Sequence, residues 1–303
     1  MRFGIMTMQL DALIPPGMPA EQVMANVAAF NFPDLVRNLY AYGFNPIELG
    51  GDLPMFLPHT FSPAVIETLT ELKRELGLSY TLHLPLWSVE PSTPLAPVRE
   101  GSTDALLESI RLTWPLEPEV YVLHAFGTLA TEFYNMRLPE LARSILLKQF
   151  QRNASQSIRR LLSDSGIPSR KLAIETIEFP LELTLELADE LDLSICFDTG
   201  HVLAGFSGPL EFFEALESCL PRLAEVHLHD SPWYGKLDAR AYGLDHRPLG
   251  EGDLDVERFL DRLEQNGFTG PVIYELRVEE ALASMQVIQR LRPQWALTPG
   301  SVK

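Results

Sequence analysis

Short apolar runs recur along the chain, each followed by a turn and then by a stretch with helical spacing. Eight of these runs read as strands: 2–7 (RFGIMT), 45–49 (NPIEL), 79–84 (SYTLHL), 119–125 (EVYVLHA), 171–176 (KLAIET), 193–198 (LSICFD), 223–228 (LAEVHL) and 271–276 (PVIYEL). Between them, ELADELDL at 186–193 repeats apolar positions at intervals of three and four, the spacing of one helix face. Ser62-Pro63 predicts a helix start, with Ser62 as N-cap, Pro63 in the first turn and Gly77 as the close. Asp255 predicts the cap of VERFLDRLEQ, closed by Gly267. Strands that alternate with helices argue for parallel βαβ units. Eight such units predict an α/β fold, a (β/α)8 barrel of eight parallel strands with outer helices and an active site at the C-terminal strand ends. The competing doubly wound open sheet would show a glycine-rich phosphate turn after the first strand, and none follows RFGIMT. No linker, charge block or low-complexity tract interrupts the pattern, so residues 1–303 read as a single domain.

Two connections exceed what a barrel needs. One runs from Pro85 to about Ser102 and carries Trp87; the other runs from Asp230 to Asp255 and carries Trp233, Tyr234, Lys236 and Tyr242. Loops beyond about 12–15 residues in a compact domain are usually functional. Both follow strands on the catalytic side, so they are expected to wall a substrate pocket. Trp87, Trp233, Lys236 and Arg277 are its candidate substrate-binding residues.

The polar residues that interrupt this pattern fall in one place. Six of the seven histidines lie at or just beyond the end of an apolar run: His83, His124, His201, His227, His229 and His246. Glu175, Asp198 and Glu275 share that position. A buried carboxylate without partners is very costly, and the one cation close by in sequence is Arg277. Imidazoles and carboxylates on successive strand ends converge only if the strands run the same way round a closed sheet, and there they make a metal site. His227 and His229 share a strand face by alternation, with His229 further out; His227 is the better ligand, His229 and Asp230 the supports. His59, in FLPHTF, stands outside the pattern.

Charge narrows the substrate. The chain carries 24 Lys plus Arg against 41 Asp plus Glu, a formal net charge of −17. Non-specific affinity for nucleic acid is supplied almost wholly by Lys and Arg on phosphates, so a nucleic-acid substrate is disfavoured and a small molecule is expected. No run approaches the ~20 apolar residues of a membrane span. MRFGIMTMQL has neither the apolar run nor the cleavage site of a signal peptide, which predicts a cytoplasmic location. Cys196 and Cys219 do not make a disulfide framework, and Cys196, inside a strand, reads as a buried thiol. Oligomeric state leaves no mark in the sequence.

DTGH at 198–201, HLHD at 227–230, HRPLGEGDLD at 246–255 and VREGSTDALLESI at 98–110 together resemble the xylose isomerase-like TIM-barrel superfamily, over essentially the whole chain. That superfamily includes sugar isomerases and epimerases and the endonuclease IV branch (AP endonuclease family 2). The endonuclease IV branch uses three zinc ions. The resemblance implies His83 and His124 on the first, Glu175 bridging the first and second, Asp198, His227 and Glu275 on the second, and His201 and His246 on the third. The branch separates the third site's aspartate from its histidine by one residue, whereas Asp245 adjoins His246. The isomerases and epimerases hold one ion with the counterparts of Glu175, Asp198, His227 and Glu275. Because this chain adds His83, His124 and His246, the first expectation is a hydrolase with two or three divalent ions, Zn first. It is expected to be a phosphodiesterase acting on a non-DNA phosphodiester, as in a superfamily member that cuts the nucleotide loop of corrinoids. Glu175, Glu275 and His201 are its candidate catalytic residues. The alternative is a one-metal sugar or sugar-phosphate isomerase or epimerase with Mn, Mg or Co, in which Glu175 and Glu275 act as the acid–base pair.

Overall fold

The computed structural model describes residues 1–15, 17–237 and 240–297. Eight strands close into a barrel: β1 (Arg2–Met6), β2 (Ile47–Gly50), β3 (Tyr80–His83), β4 (Tyr121–Leu123), β5 (Leu172–Glu175), β6 (Ser194–Asp198), β7 (Leu223–Leu228) and β8 (Pro271–Tyr274). Every neighbouring pair is parallel, and β8 closes onto β1 through Phe3↔Val272 and Ile5↔Tyr274. The expected strands thus appear in order, trimmed by a residue or two at most ends. The trimming is physical: only the central residues of each apolar run meet a partner on both sides before the chain bends into a loop.

The strands are short because each spans one barrel wall between a helix outside and side chains within. Ile5, Ile47, Leu49, Leu82, Leu123, Ile174, Ile195 and Val226 have no solvent exposure. Asp255 caps the helix Val256–Gln265 as expected, its carboxylate accepting the Arg258 N–H at 3.1 Å, and Gly267 (φ 64°) takes the left-handed turn that follows. The helix Pro63–Leu76 ends at Gly77 (φ 68°). Ser62 occupies its N-cap position, but its hydroxyl makes no capping bond, so Pro63 at the first turn carries the start.

Of the two long connections, the first is shorter than the sequence suggested and the second has its expected length. A helix spans Ala96–Thr113, so the loop after β3 ends near Leu95 rather than Ser102. Pro97 sits in the first turn, where a missing N–H costs nothing. The loop after β7 contains a short helix, Tyr234–Leu237, and its residues 238 and 239 lie outside the described residues. Residues 298–303, the tail of the expected 1–303 domain, also lie outside them. Among the described residues no helix is long and apolar enough to cross a membrane. Cys196 and Cys219 are both buried free thiols.

Candidate metal centre

The parallel register delivers polar residues to one end of the barrel. His83, Glu175 and Asp198 are the last residues of β3, β5 and β6; His124 and Glu275 directly follow β4 and β8; His227 lies inside β7. Asp198 stands opposite His227 across the β6–β7 ladder. His201 follows in the turn that Asp198 itself caps, with the His201 N–H donating to its carboxylate at 2.6 Å.

Glu175 is the hub. Its Oε2 lies 3.1 Å from His83 Nε2 and 3.0 Å from His124 Nε2, and 3.6 Å from His227 Nδ1. Its Oε1 lies 3.2 Å from His201 Nδ1. Glu275 completes the far side, 3.1 Å from His227 Nδ1 and 3.4 Å from His246 Nε2. Among the described residues five overlapping groupings could hold an ion: His83, His124 and Glu175; Glu175, Asp198 and His227; His201, His229, His246 and Glu275; and two more that share His227, with His83 and Glu275 or with Glu48 and Glu225.

Asp245 joins the group of His201 and His246 despite standing next to His246 in sequence. Its carboxylate is 2.8 Å from His246 Nδ1 and 3.9 Å from His201 Nε2. The backbone of His246 is left-handed (φ 54°), an uncommon conformation for a residue with a Cβ. Adjacent side chains in extended backbone point to opposite faces; the left-handed residue turns both toward one site.

The electrostatics are those of a charge-balanced box. Glu175 is fully buried, which opposes its charge, yet His124 and His227 hold its carboxyl well below the usual range. Burial also opposes charge on His83 and His201, but Glu175 lifts His83 to about 9, and Asp198 with Glu175 lifts His201 to about 9. His246 rises to about 11 against burial through Asp245 and Glu275, while Asp245, also against burial, falls to about 2 beside His246. Imidazolium protons therefore neutralise the acids when no metal does so. The balance is incomplete in hydrogen bonds: both nitrogens of His227 and Nδ1 of His201 are buried without a partner. Buried polar atoms are rarely left so, and nitrogens aimed at carboxylates in an imidazole–carboxylate donor set suit zinc or a similar divalent ion. His83 is already oriented for that role, with Nδ1 donating to the Leu84 carbonyl at 2.9 Å and Nε2 aimed at the hub.

Sequence reasoning missed Glu48 and Glu225, which sit unexposed inside the barrel directly beneath His227. Both carboxylates reach the Thr81 hydroxyl, at 3.2 and 3.0 Å, and Glu48 Oε1 lies 3.4 Å from His227 Nε2. Burial, then the nearby Glu48 charge, push Glu225 well above the usual carboxylate range. The signal was present, since Glu225 precedes His227 by two residues and strand alternation puts both inside.

A cavity of about 480 Å³ opens above the centre. His83, His124, Glu175, His201, His246 and Glu275 line it, together with apolar Met6, Met8, Leu86, Trp87 and Leu276 and with Arg277. Trp87 is half exposed and meets the Phe56 ring edge-on at 5.9 Å. Arg277 is paired with Glu280 and Asp11. Two of the expected pocket residues are placed elsewhere. Trp233 packs against the hydrophobic core, and Lys236 pairs with Asp253; neither is on the cavity wall. Asp253 explains both, because it also accepts the Trp233 N–H at 2.9 Å and so folds that loop back on itself. His59 bonds the Phe30 carbonyl at 3.1 Å, away from the centre.

A family model described as "Xylose isomerase-like TIM barrel" matches residues 36–294. An uncharacterized protein of Methanocaldococcus jannaschii, MJ1311, is 25% identical over 244 residues, 76% of each chain. Among solved structures, a D-tagatose 3-epimerase-like protein is 21% identical with a TM-score of 0.66, covering 98% of this chain and 100% of its own. Endonuclease IV from Thermus thermophilus is 20% identical with a TM-score of 0.63, covering 97% and 100%. The 3-keto-D-glucoside 4-epimerase of E. coli is 19% identical with a TM-score of 0.63, covering 97% and 99%. At these identities the structural likenesses show the barrel, which serves both epimerases and an endonuclease.

Proposed function

The chain belongs to the xylose isomerase-like TIM barrel family, and from that premise we propose that it is a metal-dependent phosphodiesterase with a multinuclear centre, built on residues 1–303 as one domain. The observation that carries this reading is the sharing of Glu175, whose Oε2 lies within 3.1 Å of both His83 and His124 while its Oε1 faces His201. A carboxylate reached by imidazoles on both sides suits a bridge between two ions, and a one-metal isomerase has no use for His124.

Glu175 holds the spacing, with His83 and His124 on one position, Asp198, His227 and Glu275 on the next, and His201, His246 and Asp245 on a third. Zinc held by these residues would supply a hydroxide nucleophile at neutral pH and would offset charge on the attacked phosphate. His201 and His246 line the cavity wall; where no third ion takes them, one of them, protonated, would donate to the leaving oxygen as its bond to phosphorus breaks. The apolar wall with Trp87 takes a ring-bearing part of the substrate, for which the nucleotide loop of a corrinoid is a suitable trial compound. The acidic surface disfavours duplex DNA.

The competing reading is a sugar or sugar-phosphate isomerase or epimerase with one Mn, Mg or Co ion. It is favoured by the complete set of Glu175, Asp198, His227 and Glu275 at the ends of β5 to β8 and by the epimerase likenesses. Elemental analysis of untreated protein separates the two. Two or three zinc per chain, falling by one in His124→Ala with loss of phosphodiester hydrolysis, supports the phosphodiesterase. A single ion that His124→Ala leaves in place refutes it and supports the isomerase.

A further inference from the structure

By distance alone His229 belongs with His201, His246 and Glu275 as a metal ligand. Its hydrogen bonds say otherwise. Nδ1 lies 2.9 Å from the backbone nitrogen of His246. A backbone N–H only donates, so Nδ1 receives it with its lone pair and carries no proton. The proton of the neutral ring is then on Nε2, which stands 3.0 Å from the Asp198 carboxylate and donates to it. An Nε2 that carries a proton has no lone pair left for an ion. His83 is the opposite case, with its proton fixed on Nδ1 by the Leu84 carbonyl.

The ring is held there from every side. It has no solvent exposure and stacks on the His246 ring at 4.1 Å with the planes 9° apart. A Cβ on Gly200 would come within 2.0 Å of it, so the glycine is what leaves room for the ring. The Thr199 hydroxyl accepts the His229 N–H at 3.1 Å and bonds its carbonyl at 2.7 Å.

We infer that His229 is a positioning residue that couples two metal positions, aiming the Asp198 carboxylate through Nε2–H and holding the Asp245-His246 turn through Nδ1. The inference rests on the metal-centre reading above. A donor on Asp198 decides which of its lone pairs remains turned toward an ion. The bond at Nδ1 supports the left-handed His246, the conformation that brings Asp245 and His246 to one side. A shift at either position is thereby felt at the other through one rigid ring.

Two substitutions divide the ring's roles. His229→Gln keeps an amide donor where Nε2 stands and gives up the acceptor. His229→Asn keeps an acceptor near Nδ1 and gives up the donor. Zinc is titrated into metal-stripped protein against a chromogenic chelator. Each variant should bind one zinc about 10–100-fold more weakly than the unmutated protein, the usual cost of losing an outer-shell partner. Asp198→Asn removes a ligand and should weaken zinc binding in either background, but the added loss should be larger in the Gln variant, which still holds the Asp198 bond, than in the Asn variant. Independently of any variant's folding, ¹⁵N spectra of histidine-labelled protein should show His229 protonated at Nε2 and bare at Nδ1, with and without zinc. A proton on Nδ1, or direct zinc coordination at His229, overturns the inference; so does wild-type zinc affinity in both variants. Unmutated protein that takes up no zinc overturns the metal-centre reading itself, and the inference falls with it.

Discussion

Removing the metal and raising the pH should unfold the protein by a route that the metal-loaded form avoids. In the metal-free centre, His83 and His201 each have a pKa of about 9 against an ordinary value of 6.5. A pKa raised on folding means the folded state holds the proton more tightly. The stability it supplies is fully present below about 6.5 and is lost as pH climbs through about 9. The rise from 6.5 to about 9 corresponds to about 3 kcal/mol for one imidazole. Both rings lean on Glu175, so that figure is better taken once than doubled. For a chain of 303 residues about 3 kcal/mol lowers the melting temperature by roughly 5 °C. Thermal unfolding of chelator-treated and zinc-loaded protein, scanned from pH 6.5 to 10, tests this directly. Tyrosine, lysine and the net charge act on both forms alike, so the centre is read from the difference between the two curves. The metal-free curve should fall more steeply between about pH 6.5 and 9, because in the loaded form the ligand imidazoles are already deprotonated. Parallel curves would refute the charge-balanced box.

Other outcomes follow from particular contacts. Gly200→Ala puts a methyl into the His229 ring and should cost about 1–3 kcal/mol of stability, read from denaturant midpoints, with weaker zinc binding. Trp87→Ala should raise KM for a ring-bearing phosphodiester far more than for bis(p-nitrophenyl) phosphate at unchanged metal content; Trp233→Ala should instead lower stability by about 2 kcal/mol and treat both substrates alike. Binding to duplex DNA, followed by fluorescence anisotropy at physiological salt, should be weaker than ~10⁻⁴ M, and a tight salt-sensitive complex with abasic duplex would revive a DNA substrate.

The barrel was legible because its information is local. Each apolar run from RFGIMT to PVIYEL reads as a strand within its own few residues, and eight of them with helices between leave little choice of topology. The gathering of His83, His124, Glu175, Asp198, His227 and Glu275 followed from the same periodicity, since a parallel closed sheet brings all its C-terminal ends to one rim. Helix starts were legible where a side chain caps its own backbone, as at Asp255, and less so at Ser62, whose hydroxyl makes no capping bond.

What the sequence by itself determined is therefore the set of strands, their direction and the rim to which each polar side chain goes. Tertiary structure alone decided how those side chains are used. Asp245 looked out of place beside His246, until a left-handed backbone turned both toward His201. Trp233 and Lys236 looked like pocket residues, until Asp253, some 20 positions on, drew their loop back on itself. Glu48 and Glu225, from β2 and β7, meet beneath His227 only because the barrel closes. His229 read as a support from strand alternation, but which nitrogen holds its proton depends on a backbone N–H 17 residues away. Periodicity is a property of neighbours along the chain. Proton position, charge balance and access to a cavity depend on contacts between residues far apart in sequence, and those exist only once the chain has folded.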